Sequence, residues 1–198
     1  AAVQAWVGHW PGGLAVATIL SCALFAAISG SSVATAATIG TVAIPEMISR
    51  GYDRRFVYGL LAAGGTLGIL IPPSIPMIVY GFVTEQSVIA LFLGGIAPGI
   101  VLIALFVVFS MLYSRFSQAY TPMAPASWPE RVQATKRALP SLALALLVIA
   151  GLYSGAFTPT EGAAVGFAAA LVITTFWLRS LSLADFWAAV RESALTTV

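Results

Sequence analysis

An all-α integral membrane protein with several crossings is the fold class this sequence predicts, on three observations. The 198 residues are 60% hydrophobic and only 8% charged, with a mean hydropathy of +0.98, whereas a soluble domain carries roughly 25% charged residues. Apolar stretches recur at about 14–48, 56–83, 87–114, 138–157 and 160–178, with a further helix starting near 183; one crossing needs ~20 such residues for a ~30 Å hydrocarbon core. The nine basic residues gather at four places: Arg50, Arg54 and Arg55; Arg115, Arg131, Lys136 and Arg137; Arg179; and Arg191. If 56–83, 87–114, 138–157 and 160–178 alternate in direction, all four groups fall on one side, and only Glu85 and Glu161 adjoin the opposite loops. The positive-inside rule makes the basic side cytoplasmic.

The elements follow in order. The chain lacks an initiating Met or charged leader and stops at "RESALTTV" within a helical pattern, so it is read as a fragment of a longer protein. Residues 1–13, with His9 beside Trp10 and Pro11, are expected at the membrane interface. The stretch 14–48 holds 35 residues, about 52 Å as one helix, too long for one crossing and short for two with a turn. "SGSS", Ser29 to Ser32, interrupts it into arms of roughly 15 residues, the length of a re-entrant segment. A helical hairpin with both ends on the cytoplasmic side is therefore predicted, with Glu46 and Arg50 paired i, i+4 at its base. Cys22 within it is expected as a small core- or lipid-facing residue.

The next stretch, 56–83, is broken by "GGTLGILIPPSIPM", residues 64–77. Helix 87–114 follows without ionisable residues, and Glu85 before it is expected in a turn. Residues 118–137, with Pro122, Pro125 and Pro129, are expected to form a cytoplasmic connector in which "SWPE" starts a short interfacial helix with Ser127 as N-cap and Glu130 at N3. Residues 138–198 then supply two more spans and the start of a third. "TPTE" reads as a capping box, Thr158 with Glu161 around Pro159. Ser182 and Asp185 repeat the device ahead of Phe186, Trp187 and Arg191, an interfacial start for the last helix.

Chemistry is expected at the breaks. Each unpaired backbone group in hydrocarbon costs several kcal/mol, so an interrupted helix survives only where protein, water or a ligand supplies partners. Gly64, Gly65 and Gly68 permit close backbone approach, while Pro72, Pro73 and Pro76 remove donors and free carbonyls one turn earlier. Freed carbonyls are hard ligands for a cation such as sodium, and the half-helix beginning at Ser74 offers its N-terminus to an anion. A proline kink with packed glycines explains this segment equally well. "SGSS" is a second break, with the hydroxyls of Ser29, Ser31 and Ser32 followed by Thr35 and Thr38, and paired breaks are the sequence pointer to the midplane site of a secondary transporter. No ionisable residue lies near the middle of a span, which disfavours a proton relay here. One Cys and one His cannot form a metal cluster or disulfide within the chain, and no nucleophile triad, Walker loop or intramembrane carboxylate pair points to an enzyme.

Together, "SGSSVATAATIGTVAIPEM", "GYDRRFVYGLLAAGGTLGILIPPSIPMIVYG", "LFLGGIAPG" and "GLYSGAFTPTEGAAVG" resemble the large membrane subunit of tripartite ATP-independent periplasmic (TRAP) transporters, the DctM-like permeases, from about residue 14 to the end. The resemblance implies an elevator-type fold in which this chain is the first inverted repeat and the crossover into the second. Residues 14–117 would then be half of a transport domain, with its re-entrant hairpin and discontinuous helix. It implies sodium-coupled import of carboxylate-bearing solutes, such as C4-dicarboxylates or sugar acids, across the bacterial inner membrane. A DctP-like periplasmic solute-binding protein and a small DctQ-like membrane subunit would be the partners, with the lipid bilayer and no nucleic acid. By motif, sodium ligands carry over to Gly30, Ser31, Ser32, Gly65, Thr66, Gly68, Ile71 and Pro72, and substrate contacts to Ser32 and Ser74. A channel, or a structural membrane subunit that uses the breaks for packing, is the alternative.

Overall fold

The computed structural model describes residues 2–117, 124–178 and 181–197; Pro122 and Arg179 lie outside the described residues. All regular structure among the described residues is helical, in two compact units, Ala1–Leu139 and Pro140–Val198.

In the first unit, α1 (Ala2–Val7) leads into α2 (Gly13–Ser29), which is packed on by α1, α3 (Ser32–Ser49), α4 (Arg54–Leu70) and α6 (Val88–Ser117). Residues 12–19 are buried without interruption, as expected of a helix apolar on every face. Helices α2 and α3 are antiparallel: Thr18 Oγ1 lies 3.7 Å from Met47 Sδ at one end, and the Ser29 and Thr35 hydroxyls are 3.1 Å apart at the other. The turn between them is Gly30, left-handed at φ 61°, and Ser31, extended, whose Oγ accepts from Ala34 N–H at 3.3 Å as N-cap. The arms have 17 and 18 residues, slightly longer than the sequence suggests, because helix continues to Gly13 and Ser49. At the base Glu46 receives both Arg50, at 3.6 Å, and the Gln4 amide, at 2.7 Å, tying α1 to the hairpin.

Asp53 caps α4 by accepting from Phe56 N–H at 3.0 Å. Phe56, Val57, Leu60, Leu61, Gly64, Gly65, Leu67 and Gly68 form its buried face, and Cys22 is fully buried in the same core. Phe56 stacks on Tyr113 of α6 with ring centroids 4.0 Å apart. After a break at 71–74 the chain continues as α5 (Ile75–Val83), bent 41° from α4. Glu85, at φ 54°, turns the chain back while Gln86 N–H donates to Gly81 O at 2.9 Å. Helix α6, about 45 Å long, exposes Ile100, Val101, Leu105, Val108, Phe109 and Leu112, a surface compatible with hydrocarbon and not with water.

Helix α7 (Trp128–Tyr153) starts at Trp128 rather than at the apolar boundary near 138. The connector expected through residue 137 is therefore helical from Trp128, and the short interfacial helix is the first turns of a long one. Glu130 accepts from Ser127 N–H at 2.7 Å and Ser127 Oγ at 2.8 Å, and the Arg, Gln, Ala and Lys residues that follow are good helix formers, so polarity does not stop the helix. Trp6 holds this start in place: its ring meets Trp128 edge-on at 5.9 Å, lies 5.6 Å from the Arg131 guanidinium, and its Nε1–H donates to Thr135 Oγ1 at 3.0 Å.

In the second unit the rest of α7 is followed by α8 (Pro159–Val172), a π-helical turn (Ile173–Trp177) and α9 (Leu183–Thr197). The expected capping box is present: Glu161 N–H donates to Thr158 Oγ1 at 3.3 Å, and Thr158 N–H to Glu161 Oε2 at 2.8 Å. Ser182 and Asp185 cap α9 as expected, and the Ser182 hydroxyl and then its N–H hold the Asp185 carboxyl below the ordinary aspartate range.

Among the described residues, Ser32–Ser49, Val88–Ser117, Trp128–Tyr153 and Pro159–Trp177 are each long and apolar enough to cross a membrane, and the bent pair Arg54–Leu70 with Ile75–Val83 qualifies together. The first hairpin arm falls short of that length.

Candidate functional site

The two breaks meet. Ile75 N–H, the first free amide of α5, donates to Gly30 O at the hairpin tip over 3.2 Å. A Cβ on Gly30 would stand 2.5 Å from Pro73 O, so the left-handed turn and the absence of a side chain are both required there. One turn earlier on α4, a Cβ on Gly68 would lie 2.6 Å from Ser31 C and O and 2.7 Å from Ser32 N. A Cβ on Gly65 would lie 3.0 Å from Ala36 Cβ and 3.2 Å from Ser32 O. Of the glycines expected to allow close approach, Gly65 and Gly68 form the floor on which the tip rests, whereas Gly64 faces Cys22 and Ile19 of α2; Gly30, Ser31, Ser32, Gly65 and Gly68 come together.

The other sequence-derived site residues are placed differently. Ile71 ends α4, its N–H donating to Leu67 O at 2.8 Å, and Pro72, buried, is joined to Pro73 by a cis peptide. Ser74 is fully buried as N-cap of α5, and its hydroxyl donates to Ile69 O at 2.7 Å. That is the carbonyl Pro73 leaves without an N–H, so Ser74 meets a polar group the proline freed. Thr66 points away from the tip: it is exposed, and its hydroxyl donates to Ala63 O at 2.6 Å. Thr38 is exposed on the hairpin as well.

Within the tip, Ser31 O accepts from Thr35 N–H at 3.1 Å and from Thr35 Oγ1 at 2.7 Å, while Thr35 Oγ1 also faces Ser29 Oγ. Thr35 is thus a fully buried post that fixes the tip carbonyls. The sequence marks Thr35 only as a hydroxyl near a break; its role depends on the i, i+4 relation to Ser31, which becomes legible once Ser31 is known to be the N-cap. Ile75 and Pro73 act through backbone atoms, for which side-chain identity gives no signal.

Every donor at this meeting point is a hydroxyl or carbonyl oxygen, and no cluster of three or more His, Cys, Asp or Glu exists among the described residues. Oxygen-only sites suit hard cations and not thiolate- or imidazole-seeking metals. The glycine floor, which a Cβ would fill, brings backbone oxygens of the tip to short range. The residues fit a sodium ion in donor type.

Interrupted helices interlocked through their backbones, in a bundle whose outer faces are apolar, define a multi-pass helical membrane protein with a polar junction at its breaks. The family model of the tripartite ATP-independent periplasmic transporter, DctM component, matches residues 1–198. The chain belongs to this family, and it is a protein of the bacterial inner membrane. It is 42% identical over 195 residues to the C4-dicarboxylate TRAP transporter large permease protein DctM of Pseudomonas aeruginosa, covering 98% of this chain and 45% of that one. Identity to the ectoine/5-hydroxyectoine TRAP transporter large permease protein UehC of Ruegeria pomeroyi is 40% over 196 residues, with 98% and 45% covered. The sialic acid TRAP transporter large permease protein SiaM of Vibrio cholerae is 37% identical over 191 residues, with 96% and 44% covered. The chain spans about half the length of these relatives.

Proposed function

We propose that this chain is the first-repeat half of a sodium-coupled permease that imports a carboxylate-bearing solute by an elevator movement. The observation that carries this reading is the hydrogen bond from Ile75 N–H to Gly30 O, with the glycine floor beside it. A proline kink kept only for packing does not need a second broken element aimed at it. In this reading α2 and α3 are a re-entrant hairpin opening to the cytoplasm, residues 14–117 are half of a transport domain, and the basic loops are cytoplasmic. Sodium is a co-transported substrate held near Gly30, Ser31, Ser32, Gly65, Gly68, Ile71 and Pro72, with Thr66 contributing only if its hydroxyl leaves Ala63 O.

Relatives named for C4-dicarboxylates, sialic acid and ectoine, which bear a carboxylate, support that solute class, and one named for isethionate, a sulfonate, extends the range to other organic anions. Among the described residues no cationic side chain lies at the junction. The carboxylate is therefore met by the N-terminal end of α5, by Ser32, by sodium, or by groups from the rest of the protein; Ser74 takes part through the helix start it caps. A small DctQ-like membrane subunit and a periplasmic DctP-like binding protein complete the assembly.

Uptake by the full-length permease, reconstituted in proteoliposomes with its small subunit and binding protein, tests the proposal. Transport should require an inward sodium gradient and the binding protein, and Gly65→Val should raise the sodium concentration for half-maximal uptake by pushing Ser32 O and Ala36 off the floor. Uptake indifferent to sodium and to the binding protein would leave a channel or a structural subunit as the better reading.

A further inference from the structure

We propose that Thr35 is a positioning residue that sets the sodium affinity of the hairpin tip, aiming the Gly30 carbonyl through Ser29 and Ser31 without touching the ion. The inference rests on the sodium reading above and adds to it the residue that holds the tip turn in shape. Threonines in helices commonly donate to the carbonyl four residues earlier, and Thr18, Thr84 and Thr174 do so here, to Leu14 O, Tyr80 O and Ala170 O. Thr35 differs from them in two respects. Its acceptor is the carbonyl of Ser31, the extended N-cap at the turn, and not one inside a helix. Its oxygen also meets a hydroxyl of the opposite arm, Ser29 Oγ at 3.1 Å. Thr35 is fully buried, so a bond lost there is not replaced by bulk water.

A hydroxyl has one proton to give. Thr35 gives its own to Ser31 O at 2.7 Å, so the Ser29 proton goes to Thr35 Oγ1 at 3.1 Å in preference to Ser31 O at 3.5 Å. Ser31 N–H approaches Ser29 Oγ at 3.4 Å. These bonds close a ring, from Ser31 N–H to Ser29, to Thr35 and back to Ser31 O, whose members polarise one another. With Thr35 N–H also on Ser31 O at 3.1 Å, both lone pairs of that carbonyl are held by one residue. The peptide unit before it is planar, so the ring that holds Ser31 N–H turns Gly30 O the other way, toward α5, where it accepts from Ile75 N–H at 3.2 Å. Gly30 O is therefore the tip carbonyl with a lone pair to offer an ion, and its direction is set before the ion arrives. Partners behind metal ligands typically change metal affinity by about 10–100-fold, because a cage already in shape needs no reorganisation.

Sodium titration of the purified full-length permease, read as the rise in melting temperature with sodium, tests this beside sodium-dependent uptake. Thr35→Val keeps nearly the same shape and removes the hydroxyl; it should raise the sodium concentration for half-maximal response about tenfold in both assays, with the uptake maximum little changed. Thr35→Ser restores the donor and should return the sodium dependence to that of wild type, whereas a packing defect would not be rescued by removing a methyl group. Thr174→Val deletes the same kind of bond in the other unit and should leave the sodium dependence unchanged. If wild type responds to sodium and Thr35→Val responds at the same concentrations, the inference is overturned and the sodium reading stands. A wild type that ignores sodium overturns both. Should Thr35→Val not purify as a monodisperse protein, Thr35→Cys, whose thiol is a weaker donor, is compared with Thr35→Ser and decides by the same criteria.

Discussion

Helix α4 offers an internal comparison of three glycines, and alanine at each should have a different sign. At Gly59 the new Cβ meets nothing within 4 Å, so Gly59→Ala should stabilise by about 1 kcal/mol, the difference in helix propensity. At Gly65 the Cβ would stand 3.0 Å from Ala36 Cβ and 3.2 Å from Ser32 O; the hairpin must yield by a few tenths of an ångström, and the two effects should roughly cancel. At Gly68 the obstacles are Ser31 C and O at 2.6 Å and Ser32 N at 2.7 Å, all backbone. Ordinary contact begins near 3.4 Å, so the tip would have to retreat by most of an ångström. Overpacking of this kind costs about 1–3 kcal/mol, leaving Gly68→Ala about 1 kcal/mol below wild type and about 2 kcal/mol below Gly59→Ala after the propensity gain. Thermal unfolding of the purified full-length permease ranks the three. Hydrogen exchange over residues 71–80 adds a local readout, because retreat of the tip removes Gly30 O from Ile75 N–H. If Gly68→Ala proves as stable as Gly59→Ala and exchange in that peptide is unchanged, the tip does not rest on α4 as described.

Three further substitutions probe neighbouring features. Gly30→Ala combines a left-handed φ of 61° with a 2.5 Å approach to Pro73 O and should cost about 2 kcal/mol or more; a melting temperature equal to wild type would contradict the turn. Thr158→Ala removes the hydroxyl that accepts from Glu161 N–H and should lower stability by about 1 kcal/mol, again read by thermal unfolding, with no change counting against the capping box. Glu85→Gly should raise stability by about 1 kcal/mol, since Glu85 holds φ 54° in an exposed turn; a loss would mean that its side chain has a partner in the full-length protein.

Both breaks were legible in the sequence because they depend on residue types with strong local consequences. Gly30 takes a left-handed φ that other residues resist, Ser31 caps, and Pro72 and Pro73 cannot donate. The caps at Thr158 and Ser182 were readable for the same reason, since the whole interaction lies within four residues. Azimuth around a helix was not readable at the site. Gly65 and Thr66 are adjacent, yet one faces the tip and the other is exposed and bonded to Ala63 O. About 100° of rotation separates neighbours on a helix, and motif matching does not fix the phase relative to another element. The start at Ser127 and Glu130 is legible, but its continuity with the span from 138 is not, because hydropathy marks where a helix enters an apolar medium and not where its hydrogen bonds begin.

The interlock itself was out of reach of residue-type reasoning, because both of its atoms are main-chain. Gly30 O has two ways to be satisfied: it can accept from Ile75 N–H, as here, or coordinate a cation that takes the place of that donor. Proline at 76 makes Ile75 the amide that must do this work at the very start of α5, since the next residue has no N–H to offer. A junction held by one exchangeable backbone hydrogen bond, on a floor where Gly68 leaves no room for a Cβ, is fixed in position yet open to substitution of donor by ion. That combination suits coupling: a cation at the tip would release α5's first amide toward an anionic solute, so each ligand would favour the other by the same factor. The proline and the glycine thus serve one arrangement, in which the first amide of α5 meets the carbonyl of the hairpin tip.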